Sequence, residues 1–119
     1  MTSMHQIYNQ HLLSLCPPDV DLAEWIEFRT MMAKASNLEE LDHPLQIDVE
    51  LNAGCNMACP FCIHGYEKIA NNKLDRKKFE KVLKEAVSIG VKAVKFNYIN
   101  EPMLRKDLEE IIKWTRDQG

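Results

Sequence analysis

Three cysteines fall within eight positions in "CNMACPFC", residues 55–62, spaced Cys55-x3-Cys59-x2-Cys62. Thiolates are nucleophiles, disulfide partners and soft metal ligands, so number, spacing and surroundings decide among these uses. A disulfide leaves one thiol of the cluster unpaired and needs an oxidising compartment. A structural zinc site needs a fourth ligand and usually pairs its ligands in two knuckles. His64 is close and Cys16 is distant, but no second knuckle is present. The donor set suits an iron–sulfur cluster held by thiolates. Three thiolates on a four-iron cube leave one iron without a protein ligand, and an open metal position is where a metal site does chemistry.

The elements that must position these thiols can be read from periodicity. In "LQIDVEL", residues 45–51, Leu45, Ile47, Val49 and Leu51 alternate with Gln46, Asp48 and Glu50. A period of two predicts a strand with one apolar and one polar face, and the cysteine loop follows it at once. A helix is predicted over 75–89, with Phe79, Val82, Leu83 and Ala86 as its apolar stripe and Gly90 at its left-handed end. Residues 91–98, "VKAVKFNY", predict a second strand, followed by the turn "INEP" at 99–102. A third helix begins near Asp107, with Leu108, Ile111, Ile112 and Thr115 inward. Strand, loop, helix repeated twice is the sequence form of a parallel α/β architecture, which carries its chemistry on the loops after the strands. The cysteines and "INEP" occupy those two loops.

Residues 1–44 read as a helical extension. One short helix spans 5–15 through Ile7, Leu12 and Leu15, and Pro17 and Pro18 end it. A second opens with Asp21 and Glu24 as a capping box and runs to about Ala35, with Leu22, Trp25, Ile26, Met32 and Ala35 near one face.

The run "ELNAGCNMACPFC", residues 50–62, resembles the signature of radical S-adenosylmethionine (SAM) enzymes. There a CxxxCxφC loop follows the first barrel strand, and the aromatic φ is here Phe61. Asn56 matches the common "CN" pair. "NYINEPMLR", residues 97–105, stands where that family carries its "GGEP" element. The resemblance covers residues 45–119 and implies the first two βα units of a partial (β/α)6 barrel. It implies that Cys55, Cys59 and Cys62 ligate a 4Fe–4S cluster and that SAM chelates the fourth iron. It places Phe61 near the adenine, and Ile99, Asn100 and Glu101 at the methionine amino group. It names no further catalytic side chain. It also implies an electron donor such as flavodoxin or ferredoxin and a peptide or small-molecule substrate.

Ile99 and Asn100 replace two glycines of that element. Asn tolerates the left-handed region, whereas a β-branched Ile resists it. The bland alternative for Phe61 is a core aromatic, and for Glu101 an acid favoured by a helix N-terminus. Gln46, Asp48 and Glu50 either face a wet lumen or lie on an exposed sheet face. Cys16 reads as a buried thiol rather than a ligand.

Other functions are excluded on charge and composition. The net charge is −3, and the basic run from Lys73 to Lys84 is interleaved with Asp75, Glu80 and Glu85. Neither a nucleic-acid nor a membrane-surface partner follows from that balance. The N-terminus lacks the pattern of a signal peptide, no apolar run approaches a membrane span, and the thiols read as those of a reduced, cytoplasmic protein. A βα unit takes roughly 30 residues and eight units about 250. Residues 45–119 therefore fall short of a barrel, and the remainder is expected in cis or from a partner subunit. An iron–sulfur electron-transfer or sensor module, with Cys16 or His64 as fourth ligand, is the competing expectation. An inactive docking fragment is the other.

Overall fold

A computed structural model describes residues 10–119. The chain divides into two compact units, Met1–Asp42 and His43–Gly119.

In the first unit residues 10–14 are helical, and the predicted positions 5–9, with Ile7, lie outside the described residues. Helix α1, Leu22–Ser36, is capped by Asp21, whose carboxylate accepts from the N–H groups of Ala23 and Glu24 at 2.9 and 3.2 Å. Trp25 ties the two segments together, donating from its indole Nε1 to the Leu12 carbonyl at 3.0 Å. The expected apolar face is not buried: α1 has no fully buried residue, and Leu22 and Ile26 stay about half exposed. The apolar residues of this helix are spread around it and form no single strong stripe to bury.

The second unit holds the chemistry-bearing loops. Strand β1, Gln46–Asp48, pairs in parallel with β2, Ala93–Lys95, in the register Gln46↔Ala93, Ile47↔Val94, Asp48↔Lys95. Both are shorter than the alternation predicted, although Val49 N–H still reaches the Lys95 carbonyl at 2.8 Å. Beyond that point the chain leaves the sheet to form the loops. Between the strands lies α2, Arg76–Ser88, with Asp75 as N-cap and Gly90 at φ 96° beyond its end. A residue with a side chain would be strained there, so glycine is the natural terminator. Helix α3, Leu108–Arg116, follows β2.

The core of this unit is Leu51, Phe79, Leu83 and Ile111, with Ile47, Val49, Phe96 and Trp114 against it. Phe79 meets Phe96 and Trp114 edge-on, at centroid distances of 5.9 and 6.0 Å, the geometry that aromatic quadrupoles favour. Burying each of the four central side chains contributes about 1.5–3 kcal/mol. Two stripe assignments need correction. Val82 is 51% exposed and Ile112 is 40% exposed, while Trp114 supplies the packing. The indole covers more area than an isoleucine and gains the cations of Arg76 and Lys84 over its ring, at 5.4 and 5.8 Å. On the other sheet face Asp48 accepts from Gln46 at 2.8 Å and from Lys95 at 3.3 Å. Among the described residues no helix is long and apolar enough to cross a membrane.

Candidate functional site

The cysteine loop leaves the sheet through Leu51–Gly54 and returns through residues 71–74. These two stretches close on each other as an antiparallel ribbon. Leu74 N–H donates to the Leu51 carbonyl at 2.9 Å, Ala53 N–H to the Asn72 carbonyl at 2.8 Å, and Asn52 bridges Lys73. Gly54 N–H adds a bond to the Asn71 side chain at 3.0 Å. The loop is thus a closed excursion with a fixed base.

Within it, backbone turns fold the second half tightly. Cys62 N–H donates to the Cys59 carbonyl at 3.0 Å and Gly65 N–H to the Cys62 carbonyl at 2.8 Å. A Cβ at Gly65 would lie 2.5 Å from the Cys59 carbonyl oxygen, so this crossing requires glycine. The Tyr66 hydroxyl also donates to the Pro60 carbonyl. Cys55, Cys59 and Cys62 are all free thiols and half-buried. The Met57 N–H points to Cys55 Sγ at 3.4 Å. Among the described residues no three His, Cys, Asp or Glu side chains converge as a metal cage. His64 sits on the short turn Ile63–Gly65, and its buried Nε2 has no hydrogen-bond partner among the described residues. Cys16, in the first unit, lies 3.6 Å from the Pro17 and Val20 carbonyls.

Phe61 is 88% exposed, which removes the core-filling alternative. Met57 and Tyr66 on the same loop, and Tyr98 and Met103 beside the "INEP" turn, are likewise exposed. Exposed apolar side chains therefore collect on both loops.

The turn after β2 is built from side chains. Asn100 is buried, accepting from Tyr98 N–H at 3.0 Å and donating to the Phe96 carbonyl at 3.2 Å. Ile99 N–H donates to the Glu50 carboxylate at 3.0 Å. Neither Ile99 nor Asn100 is left-handed: among the described residues Leu38, at φ 61°, is the non-glycine residue in that region. Asn100 thus does not use the left-handed region that its residue type tolerates, and its side chain bonds the neighbouring backbone instead. Glu101 caps the short turn Pro102–Leu104, its carboxylate accepting from Met103 N–H at 2.9 Å.

The two loops meet directly. Glu101 N–H donates to the Gly54 carbonyl at 3.0 Å, next to Cys55. Asn52, almost wholly buried, donates from Nδ2 to both the Gly54 and Glu101 carbonyls at 3.1 Å. Sequence reasoning missed Asn52 and Arg105 and did not show that Glu50 binds the turn. The available signal was a polar residue at the end of an apolar alternation, at Asn52, and an arginine closing "EPMLR".

Comparison with known proteins finds relatives. The chain is 36% identical over 85 residues to the PqqA peptide cyclase of Bradyrhizobium diazoefficiens, covering 71% of this chain and 22% of the relative. It is 35% identical over 77 residues to the PqqA peptide cyclases of Xanthomonas oryzae pv. oryzae and Xanthomonas campestris pv. campestris, covering 64% of this chain and 20% of each relative. The chain thus spans about a fifth of the length of the curated relatives it matches. No family model matches the chain, and no solved structure matches it.

Proposed function

We propose that this chain is part of a radical SAM enzyme acting on a peptide. The observation that carries the reading is the direct bonding of the cysteine loop to the "INEP" turn, Glu101 N–H to the Gly54 carbonyl, at the ends of two parallel strands. The match to peptide cyclases supports both the enzyme class and the peptide substrate. The strand–helix order supports the first two βα units of a partial (β/α)6 barrel. The remaining units would come in cis or from a partner subunit.

The donor chemistry fits a 4Fe–4S cluster: three free, half-buried thiols on one loop, none committed to a disulfide. Cys55, Cys59 and Cys62 would hold it. Bound there, it would supply the single electron for reductive cleavage of SAM, the source of a hydrogen-abstracting radical, with flavodoxin or ferredoxin as donor. The chain's own residues hold and orient. Asn52 and Glu50 fix the turn against the loop base, and Glu101 presents a carboxylate whose Oε1 is spent on Met103 N–H. The exposed Phe61 offers an aromatic face for the adenine. Exposed apolar side chains on both loops would exclude water once covered.

Anaerobic reconstitution tests the reading, with about four irons per chain expected. With the remaining barrel units supplied, reduced protein given SAM should release 5′-deoxyadenosine and methionine, separated by chromatography, and the 119 residues by themselves should release little or none. One tightly held zinc and no iron would overturn the assignment. A second reading, an electron-transfer module, rests on the unpartnered Nε2 of His64. It requires that His64→Ala lower the iron content, and that the reduced cluster leave SAM intact.

A further inference from the structure

We propose that Arg105 is the positioning residue that sets the spacing between the cysteine loop and the Glu101 turn. This deepens the reading above and rests on it only for the ligand involved. Arg105 is 6% exposed, an unusual place for a guanidinium. Its Nη1 donates to the Leu51 carbonyl at 2.6 Å and to the Leu74 carbonyl at 2.7 Å. Those carbonyls belong to the outgoing and returning arms of the cysteine loop. Nε and Nη2 grip both oxygens of Asp107 at 2.8 and 3.1 Å. One planar group thus ties the two arms of one loop to the segment that follows the other.

The chemistry selects arginine. A rigid fork can satisfy two carbonyls on one edge and a carboxylate on the other, while a lysine ammonium is a single point with three donors. A buried charge is costly unless every donor finds a partner, so a merely structural position would be filled more cheaply by an apolar side chain. Asn52, also buried and next in sequence to Leu51, bonds the same two loops from the Gly54 side. Removing Arg105 should leave the α2–α3 core in place and let the two loops drift. A drift of about 1 Å at a cofactor site can cost about 100-fold in rate.

The test compares Arg105→Met and Arg105→Lys with the parent by amide hydrogen exchange, without cluster. Exchange at Ala53, Leu74 and Glu101 should rise about tenfold or more in the Met variant, with Ile111 unchanged, because local opening is separate from global unfolding. The Lys variant should recover part of that protection through the two carbonyls. A uniform rise across loops and core, or no change at the three loop amides, overturns the proposal. With protein that takes up iron, the Met variant should keep its iron and bind SAM about tenfold or more weakly. Unchanged SAM affinity there would also overturn it. Failure of the parent to take up iron would sink the radical SAM reading and leave the exchange result standing.

Discussion

The two loops at the strand ends are built in opposite ways. In the cysteine loop the turns are closed mostly by backbone bonding to backbone, Phe61 projects outward, and none of the three thiols is committed to a disulfide. In the "INEP" turn the side chains are committed to backbone, with Asn100 bonding Tyr98 and Phe96 and Glu101 capping Met103. One loop presents donors, and the other is a rigid wall that places them. Substitutions should therefore act differently on the two loops, on bound metal in the first and on folding in the second.

The largest expected effect is on metal. Cys59→Ala should abolish the reconstituted cluster, since two thiolates cannot hold the cube. The midpoint of thermal unfolding without metal should hardly move, because the half-buried thiol makes no core contact. Iron and sulfide assays beside a melting curve separate the two. Retained iron would show that the loop's thiols are not the donor set.

Next in size is Asn100→Ala, which leaves the Tyr98 N–H and the Phe96 carbonyl without this partner in a partly buried place and should cost about 1–2 kcal/mol in urea unfolding. Asn100→Gly should be at least as damaging, since position 100 needs no left-handed backbone and glycine adds chain entropy. A Gly variant as stable as the parent would show that the turn depends on backbone freedom after all.

The same contrast explains what could be read from the sequence. Cysteine spacing and the alternation from Leu45 to Leu51 are local signals, and they located the loop, its strand and the helix capped by Asp75. The side chains that join the loops were not legible, because their partners lie far along the chain. Arg105 reaches Leu51 and Leu74, and Glu50 reaches Ile99. Periodicity correctly separated the core-facing Ile47 and Val49 from Gln46 and Asp48, yet it assigned Glu50 to the same polar face without showing that it binds the turn. Trp114 at helical spacing reads as core, and it packs there, whereas Ile112 does not. The packing of Trp114 is decided by Phe79, Arg76 and Lys84 on another helix, and helical spacing favoured Ile112 equally.

A smaller effect is expected at Gly65. Alanine there would press on the Cys59 carbonyl, a backbone atom, and should cost about 1–2 kcal/mol as the loop shifts. Because the strain falls between two of the thiols, iron content should fall along with stability. That response is intermediate between the two loops. Full iron retention in a destabilised Gly65→Ala protein would mean that the crossing at Cys59 does not set the donor geometry.

The smallest effect is on pH dependence and concerns the link between the loops. The Arg105 guanidinium holds the Asp107 carboxyl below its ordinary value of 3.8, against the opposing effect of partial burial. A carboxylate with a lowered folded-state pKa contributes stability that is fully present above the unfolded value and is lost as pH falls through the folded one. Melting temperature should therefore be flat with respect to this group above about pH 5 and decline below about pH 4. Asp107 keeps 41% of its side chain in solvent, so screening limits the size of the effect. Asp107→Asn retains an acceptor for Arg105 but cannot titrate. The difference in melting temperature between parent and variant should then shrink as pH is lowered from 6 toward 3, which parallel melts across about that range would detect. A difference that stayed constant would show that the charge of Asp107 adds nothing to the grip on Arg105, and that the carbonyls of Leu51 and Leu74 hold the guanidinium by themselves.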